Sequence, residues 1–342
     1  MMEEVNCKLC GSNHRKVILT NCQDYFEKTP GKFTIVQCSR CKLIYLNPRP
    51  TINELASCYP SPYYGSQKPN LNKIKKRLTK LSYFPFNAIL KERFQYPIAQ
   101  NYSFFKKLLI RFYFPFCRAI FRGVLKFKGN GRILDVGCGN GVHLWFLKKL
   151  GWETHGLDIS PQACQIAQSL GINVFCGELP QANFPFQYFD IIRMNHVLEH
   201  LHSPDMYLKE IRRILKVDGI CLIRVPNIRS LKYLIFKRYW FGLDVPRHLY
   251  SFSPTTLKAF FDKSGFQMKE IHFVASSGTF LGSLGFLLQA KGWENKPWTN
   301  FLLTNKGLRK IILDPLCRLQ NFIHFSDEIE AIFQLSPKNV SK

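Results

Sequence analysis

The ten residues Arg132–Gly141, R-I-L-D-V-G-C-G-N-G, restrict the possible folds more than any other stretch of the chain. Ile133, Leu134 and Val136 form a short aliphatic run of the kind that parallel sheets bury on both faces. Asp135 lies within that run, and Gly137, Gly139 and Gly141 follow at alternate positions. Val142–Leu150 then shows helical periodicity and stops at Gly151. Strand, glycine turn and helix in that order make a ligand site at the carboxyl end of a strand in an open α/β sheet. A ligand there must lie almost on the backbone, which a Cβ would prevent. A dinucleotide fingerprint needs a glycine where Val142 stands, and the Gly-Lys-Ser/Thr ending of a P-loop is absent.

Strand and helix continue to alternate. Glu153–Asp158 reads as a second strand, and Ser160-Pro161 opens a helix running to Leu170. Asp158 ends that strand about 20 residues past the glycines, where an acid can accept both hydroxyls of a ribose. Ile172–Phe175 is a third strand, followed by Gly177-Glu178-Leu179. Tyr188–Asn195 is a fourth, emptying into His196-Val197-Leu198-Glu199-His200-Leu201. Ser203-Pro204 starts a helix to Lys216, and Val217-Asp218-Gly219 turns the chain into a fifth strand, Ile220–Val225.

The first fifty residues carry a different signal. Cys7-Lys8-Leu9-Cys10 and Cys38-Ser39-Arg40-Cys41 are two C-x-x-C knuckles separated by 27 residues. Each can place two thiolates on one tetrahedral ion, and together they close a four-thiolate structural zinc site with no open position. Strands over Val17–Thr20 and Lys32–Gln37 would deliver the knuckles, making a small zinc ribbon whose folding leans on the metal. Cys22 and Cys58 stand outside the pattern.

The net charge of +25 is unevenly spread. Gln67–Lys128 holds fifteen Lys or Arg and one acid, Glu92, a net of +14. Leu71, Ile74, Leu78 and Leu81 recur at helical spacing, with Lys73, Lys75, Lys76, Arg77 and Lys80 on the other faces. From Phe94 to Phe127 aromatic residues interleave with cations. Basic amphipathic helices with aromatic faces suit an anionic membrane surface. The same mixture would serve a single-stranded nucleic-acid groove, the lesser alternative, or plain helices packed on the core with solvated lysines. No leader or spanning segment is evident, so a cytoplasmic location, on or near the membrane's cytoplasmic face, is expected.

The D-x-G-x-G-x-G turn resembles motif I of the class I S-adenosylmethionine-dependent methyltransferases. F-D-I-I-x-x-N-H-V-L-E-H-L-x-S-P, followed by helix, D-G and strand, extends the resemblance. Pro246–Leu257, P-R-H-L-Y-S-F-S-P-T-T-L, and Lys263–Phe266 are similar to a subgroup bearing an N-terminal zinc ribbon, the methyltransferase type 11/12/23-like proteins. The implied fold is α/β: a seven-stranded, mostly parallel, Rossmann-like methyltransferase sheet with a small N-terminal zinc ribbon and helical insertions. Gln267–Val274 then becomes the sixth strand and Asp327–Gln334 the antiparallel seventh. The expected division is a ribbon over 1–60, a basic aromatic helical segment over 61–128, a core over 129–276 plus 327–340, and a helical insertion over 277–326.

By the same resemblance, Gly137, Gly139 and Gly141 bracket the methionine portion of S-adenosylmethionine, and Asp135 orients its ammonium. Asp158 holds the ribose with Ile159 beside it, Glu178 lies near the adenine, and Asn195 lines the cavity floor. An oxygen acceptor must lose a proton during transfer, and histidine is suited to take it. His248 and His196 are the candidate bases, Arg247 a candidate clamp for an acidic group on the acceptor, and His200 a further acceptor-side residue. H-x-x-E-H at 196–200 is similar to the E-x-x-E-H that holds a divalent ion in small-RNA terminal 2′-O-methyltransferases and ubiquinone-pathway O-methyltransferases. His196 replaces the first acid and suits Mg²⁺ poorly, so no catalytic divalent ion is expected. N-P-P-Y, which serves amine acceptors, is absent after the fourth strand. The expected activity is O- or C-methylation of a small molecule, a sugar, a glycan or a lipid-linked intermediate. An RNA methyltransferase and a non-catalytic scaffold are the alternatives.

Overall fold

The computed structural model describes residues 2–59, 67–98, 100–121, 123–305, 307 and 309–337. The turn-rich linker expected at 59–65 lies outside the described residues from position 60 onward. Five strands occupy the first fifty residues: β1 (Met2–Glu3), β2 (Arg15–Cys22), β3 (Phe33–Cys38), β4 (Ile44–Leu46) and β5 (Arg49–Pro50). Beyond them come β6 (Arg132–Val136), β7 (Glu153–Asp158), β8 (Asn173–Cys176), β9 (Phe189–Asn195) and β10 (Leu215–Pro226). The last three are β11 (Tyr250–Ser251), β12 (Phe266–Val274) and β13 (Glu328–Leu335).

Seven of these make one sheet in the order β12-β13-β10-β9-β6-β7-β8. β6 pairs in parallel with β7, and β7 with β8, whereas β13 is antiparallel to both β10 and β12. The expected fifth strand starts earlier than its sequence suggested. Val217-Asp218-Gly219, read as a turn, is extended backbone inside β10, because the already buried Leu215 leads the chain straight from helix Pro204–Ile214 into the strand.

The chain forms two compact units, Pro62–Arg193 with Arg213–Ile220, and Met1–Ser61 with Met194–Arg212 and Cys221–Lys342. In the first, the glycine-turn unit, Ile133, Leu134 and Val136 of β6 are buried, as a strand covered on both faces requires. Helix Val142–Lys149 buries Leu144, Trp145, Phe146 and Leu147. Helices Leu71–Leu81, Phe86–Phe94 and Phe104–Cys117 carry the basic aromatic segment.

In the second, the ribbon unit, β2, β3, β4 and β11 form a four-stranded sheet in the order β11-β4-β3-β2. The ribbon therefore takes its fourth strand from a segment two hundred residues downstream, with Tyr250 opposite Tyr45 and Ser251 opposite Ile44. Phe261 stacks on Phe333 with ring centroids 3.8 Å apart, closing the core of this unit. Helices Ser277–Ala290, Pro297–Thr304 and Asp314–Phe322 lie between β12 and β13 in the chain. No described helix is long and apolar enough to cross a membrane.

Candidate active site

In the glycine-turn unit, β6 ends at Val136 and the backbone turns through Gly137, Gly139 and Gly141, with φ of +72°, +55° and +68°. L side chains rarely adopt these angles, and a Cβ on Gly141 would stand 2.6 Å from Cβ of Ala167. Gly137 N and Cys138 N both donate to Leu157 O, at 2.7 and 3.0 Å, which fixes the turn against the end of β7. Asp158, the last residue of β7, completes the link: Oδ2 accepts from Gly139 N at 2.7 Å and Oδ1 from Ser160 N at 2.9 Å. Ser160 in turn caps the following helix through Ala163 N. Burial pushes the Asp158 carboxyl up from its usual range, and the negative charge of Asp135 adds to this, while the backbone donors oppose it.

Asp135 is buried in β6. Its Oδ2 accepts from Arg193 Nη1 at 2.7 Å, and Arg193 also meets His143 Nδ1 at 3.2 Å. Its Oδ1 is buried and has no hydrogen-bond partner among the described residues. An orphaned carboxylate oxygen beside three left-handed glycines is what an ammonium-bearing ligand would satisfy. Asp158 oxygens each retain a lone pair for a ribose hydroxyl. Ile159 is 64% exposed immediately after the buried Asp158, a bare apolar face where a base could rest. Glu178 is exposed and opens the short turn Leu179–Gln181. The chemistry of this set fits S-adenosylmethionine: a buried carboxylate oxygen for an ammonium, a glycine turn open to close approach, and a second carboxylate for a diol. Arg193 and His143 escaped the sequence reading, although a cation within the apolar strand F-D-I-I-R-M was a signal.

The ribbon unit holds two further clusters. Cys7 Sγ lies 3.4 Å from Cys41 Sγ and Cys10 Sγ 3.5 Å from Cys38 Sγ, and all four sulfurs fall within 4.8 Å of one another. Each knuckle closes on a left-handed residue, Gly11 at φ +76° and Lys42 at +66°, whose amides donate to Cys7 O and Cys38 O. Four thiols so disposed match a tetrahedral zinc site, in which sulfurs about 2.3 Å from the ion stand roughly 3.8 Å apart.

The second cluster gathers the histidines. Asn195 ends β9 half-buried. His196 follows with φ +56°, a conformation rare for a residue with a side chain and held here by its amide donating to Arg224 O at 2.9 Å. Its Nδ1 faces Glu199 Oε1 at 3.2 Å and its Nε2 faces Glu328 Oε1 at 3.4 Å. Burial disfavours the charged ring, but the two carboxylates outweigh it and push His196 up to about 9. Glu199 is fully buried, which alone would raise it, yet His196 and the neighbouring imidazoles bring it down to about 2. Its Oε2 has no partner among the described residues. His248 Nδ1 donates to Gly242 O at 2.9 Å, and its Nε2 lies 3.9 Å from Glu199 and 3.7 Å from Asp244. His200 Nδ1 meets Tyr59 OH at 3.0 Å and Arg247 O at 3.1 Å, and burial, then the charge of His248, push it down to about 4.

Two expectations need correction. Arg247 is no clamp for an incoming acid: its guanidinium is buried, bidentate on Asp24 at 2.7 and 2.8 Å, and bonded to Asp244 at 2.6 Å. A cation so fully paired organises the loop around it, with no face left for substrate. His196 is disfavoured as the base, since Glu199 and Glu328 at its two ring nitrogens favour the charged ring. Asp24 and Glu328, which share this pairing with the nearby Asp244 and Glu199, left no trace in any local motif, being 223 and 132 residues from their partners.

Residues 109–271 match the type 23 family described as a methyltransferase domain. The tRNA U34 carboxymethyltransferase of Methylococcus capsulatus is 27% identical over 43% of this chain and 48% of its own length. The ubiquinone biosynthesis O-methyltransferase of Glaesserella parasuis is 27% identical over 42% of this chain and 70% of its own. The chain thus spans about half the length of the first relative and 70% of the second. A S-adenosylmethionine-dependent methyltransferase structure from Archaeoglobus fulgidus aligns with 72% of this chain and 99% of its own, at 20% identity and a TM-score of 0.41. The ordered motifs and this family match agree: residues 109–271 form a methyltransferase domain of the S-adenosylmethionine-dependent kind.

Proposed function

We propose that the protein methylates a hydroxyl oxygen of a sugar, glycan or lipid-linked acceptor. The observation that carries the cofactor side is the pair Asp135 and Asp158 around the glycine turn, one with an unsatisfied buried oxygen, the other tied to Gly139. S-adenosylmethionine supplies, when bound, a methyl on a sulfonium whose leaving thioether needs no acid. The chain's part is to bind, orient and exclude water. Asp135 and the turn hold the amino-acid end, and Asp158 fixes the ribose.

An acceptor hydroxyl must give up its proton, and the neutral form of His248 would take it on Nε2, because Nδ1–H is held on Gly242 O. Glu199 and Asp244 lie close enough to stabilise the imidazolium that forms. Glu199 Oε2, unsatisfied and buried, offers an acceptor for a second hydroxyl of a diol-bearing substrate. The relatives named above act on a tRNA and in ubiquinone biosynthesis, so RNA remains the rival acceptor class. The basic segment is compatible with either.

The test has two parts. Calorimetry with S-adenosylmethionine should show affinity falling about 10–100-fold in Asp158→Ala, the loss of hydrogen bonds to a charged group; equal affinity removes the ribose assignment. Transfer of tritiated methyl into a cell extract, separated into lipid, polysaccharide, RNA and small molecules, then identifies the acceptor. Label confined to RNA would overturn the glycan or lipid assignment.

A second reading is favoured by one observation. One ligand atom each from Glu199, His200 and His248 lies within 4.8 Å of the others, the spacing of a divalent-ion site with one carboxylate and two imidazoles. In that case His248 is a ligand and not a base. Metal analysis separates the two: one equivalent of zinc supports the base, whereas a second metal equivalent lost in His248→Gln supports the ion.

A further inference from the structure

Two helices of the basic segment treat their apolar faces in opposite ways. Helix Leu71–Leu81 turns Leu71, Ile74, Leu78 and Leu81 inward, half-buried or buried, and leaves its lysines exposed. Helix Phe104–Cys117 does the reverse. Ile110, Phe114 and Cys117 hold it to its own unit, while Phe104, Phe105, Leu108, Leu109, Phe112 and Tyr113 face outward. Phe105 is 76% exposed, Phe112 67% and Leu109 63%.

At about 100° per residue, those six side chains cover an outward arc of about 180° with no charge within it. Lys106 borders the arc on one side, with Lys107 and Arg111 on the other. Lys106 Nζ also lies 5.7 Å over the ring of the half-exposed Phe84, in the turn between helices Leu71–Leu81 and Phe86–Phe94. The segment's one acid, Glu92, is already engaged with Lys107 at 3.3 Å. Large apolar side chains exposed together on one helix face mark an interaction surface.

We propose that helix Phe104–Cys117 docks the protein on a bilayer surface containing anionic phospholipid. The aromatic arc lies at the boundary of headgroups and acyl chains, and the bordering cations rest on headgroup phosphates. The +14 balance of residues 67–128 chooses this occupant, since it supplies the long-range attraction that an apolar arc by itself lacks. The helix lies along the surface and does not span it, in keeping with its 14 residues and its flanking charges. This inference stands apart from the proposed methyl transfer and does not need the cofactor.

The experiment uses the full zinc-loaded chain in sedimentation with vesicles of phosphatidylcholine alone or mixed with phosphatidylglycerol. The wild type should partition onto the mixed vesicles, and more weakly as salt rises. Phe105→Ser, Leu109→Ser and Phe112→Ser combined should weaken binding about tenfold or more. Lys106→Glu with Arg111→Glu should abolish the preference for the anionic vesicles. Both variants alter exposed side chains, so unchanged melting and unchanged S-adenosylmethionine affinity confirm that the fold is intact. Undiminished vesicle binding by the triple variant overturns the proposal. So does a wild type that ignores phosphatidylglycerol vesicles while the triple variant loses self-association or RNA binding, for then a second copy or a nucleic acid covers the face.

Discussion

The glycine turn and the histidine cluster are assembled on opposite principles. The first is local: Asp135, three glycines and Asp158 lie within 24 residues of one another, and backbone amides do most of the holding. The second draws on remote segments of its own unit, with Asp24, Glu199, Asp244, His248 and Glu328 contributing one or two groups each. A site made by backbone geometry tolerates change in its neighbours. One made by buried charges fails when any partner goes, because the remaining charge is stranded.

The largest expected effect strikes the ribbon unit. Cys38→Ser, or removal of zinc by a strong chelator, should unfold β2–β4, since structural zinc in such sites contributes on the order of 10 kcal/mol. Limited proteolysis would then cut within the first sixty residues. Because β11 is the ribbon's fourth strand, methyl transfer should fall further than cofactor affinity does. Equal losses would erase the contrast between local and remote construction.

Next comes Arg247→Met, which leaves Asp24 and Asp244 facing each other unpaired. We expect a destabilisation of about 3–5 kcal/mol by denaturant unfolding. Asp24→Asn should recover part of it. No recovery would mean the arginine's packing against Phe26, 5.7 Å from the ring centroid, matters more than its charge.

His248→Gln should lower kcat by about 10²–10⁴ with cofactor binding unchanged, the ordinary contribution of a positioned base. His196→Gln should cost far less, as both ring nitrogens face carboxylates that favour the charged form. A kcat loss from His196→Gln equal to that of His248→Gln would reverse these roles.

The smallest effect is a pH signature. His196 has its pKa raised by folding, so the stability it contributes is full below about 6.5 and is lost as pH rises through about 9. Glu199 is lowered, so its contribution is present above about 4.5 and lost only as pH falls through about 2. Melting temperature should therefore decline from pH 7 to pH 9.5 in the wild type by more than in His196→Gln. A parallel decline would show that the two carboxylates do not hold the ring charged.

These contrasts explain what the sequence disclosed. Strand β6 and the turn after it could be read because hydrophobic run, glycine spacing and acid are all short-range patterns. The paired cysteines were legible for the same reason, each knuckle being complete within four residues. Arg247 misled because a cation beside a candidate base looks like a substrate clamp until the buried Asp24 is seen, and no local pattern connects positions 24 and 247. His196 misled in part likewise: Glu199 stands three residues on, in plain view, but the second carboxylate, Glu328, comes from the far end of the chain. The turn expected at Val217-Asp218-Gly219 failed through tertiary override: burial of Leu215 outweighed the local preference of Asp-Gly for a bend.

The segment from Arg247 to Ser251 is pinned at nearly every residue: Arg247 by Asp24, His248 by Gly242, Leu249 by Leu46 and Glu199, Tyr250 and Ser251 by the ribbon's edge. Its conformational freedom is surrendered once, when the chain folds, and not again each time a guest arrives. Were an acceptor to bind against it, a strap this rigid could not remould itself around unfamiliar shapes, and selectivity for one geometry would be built in beforehand.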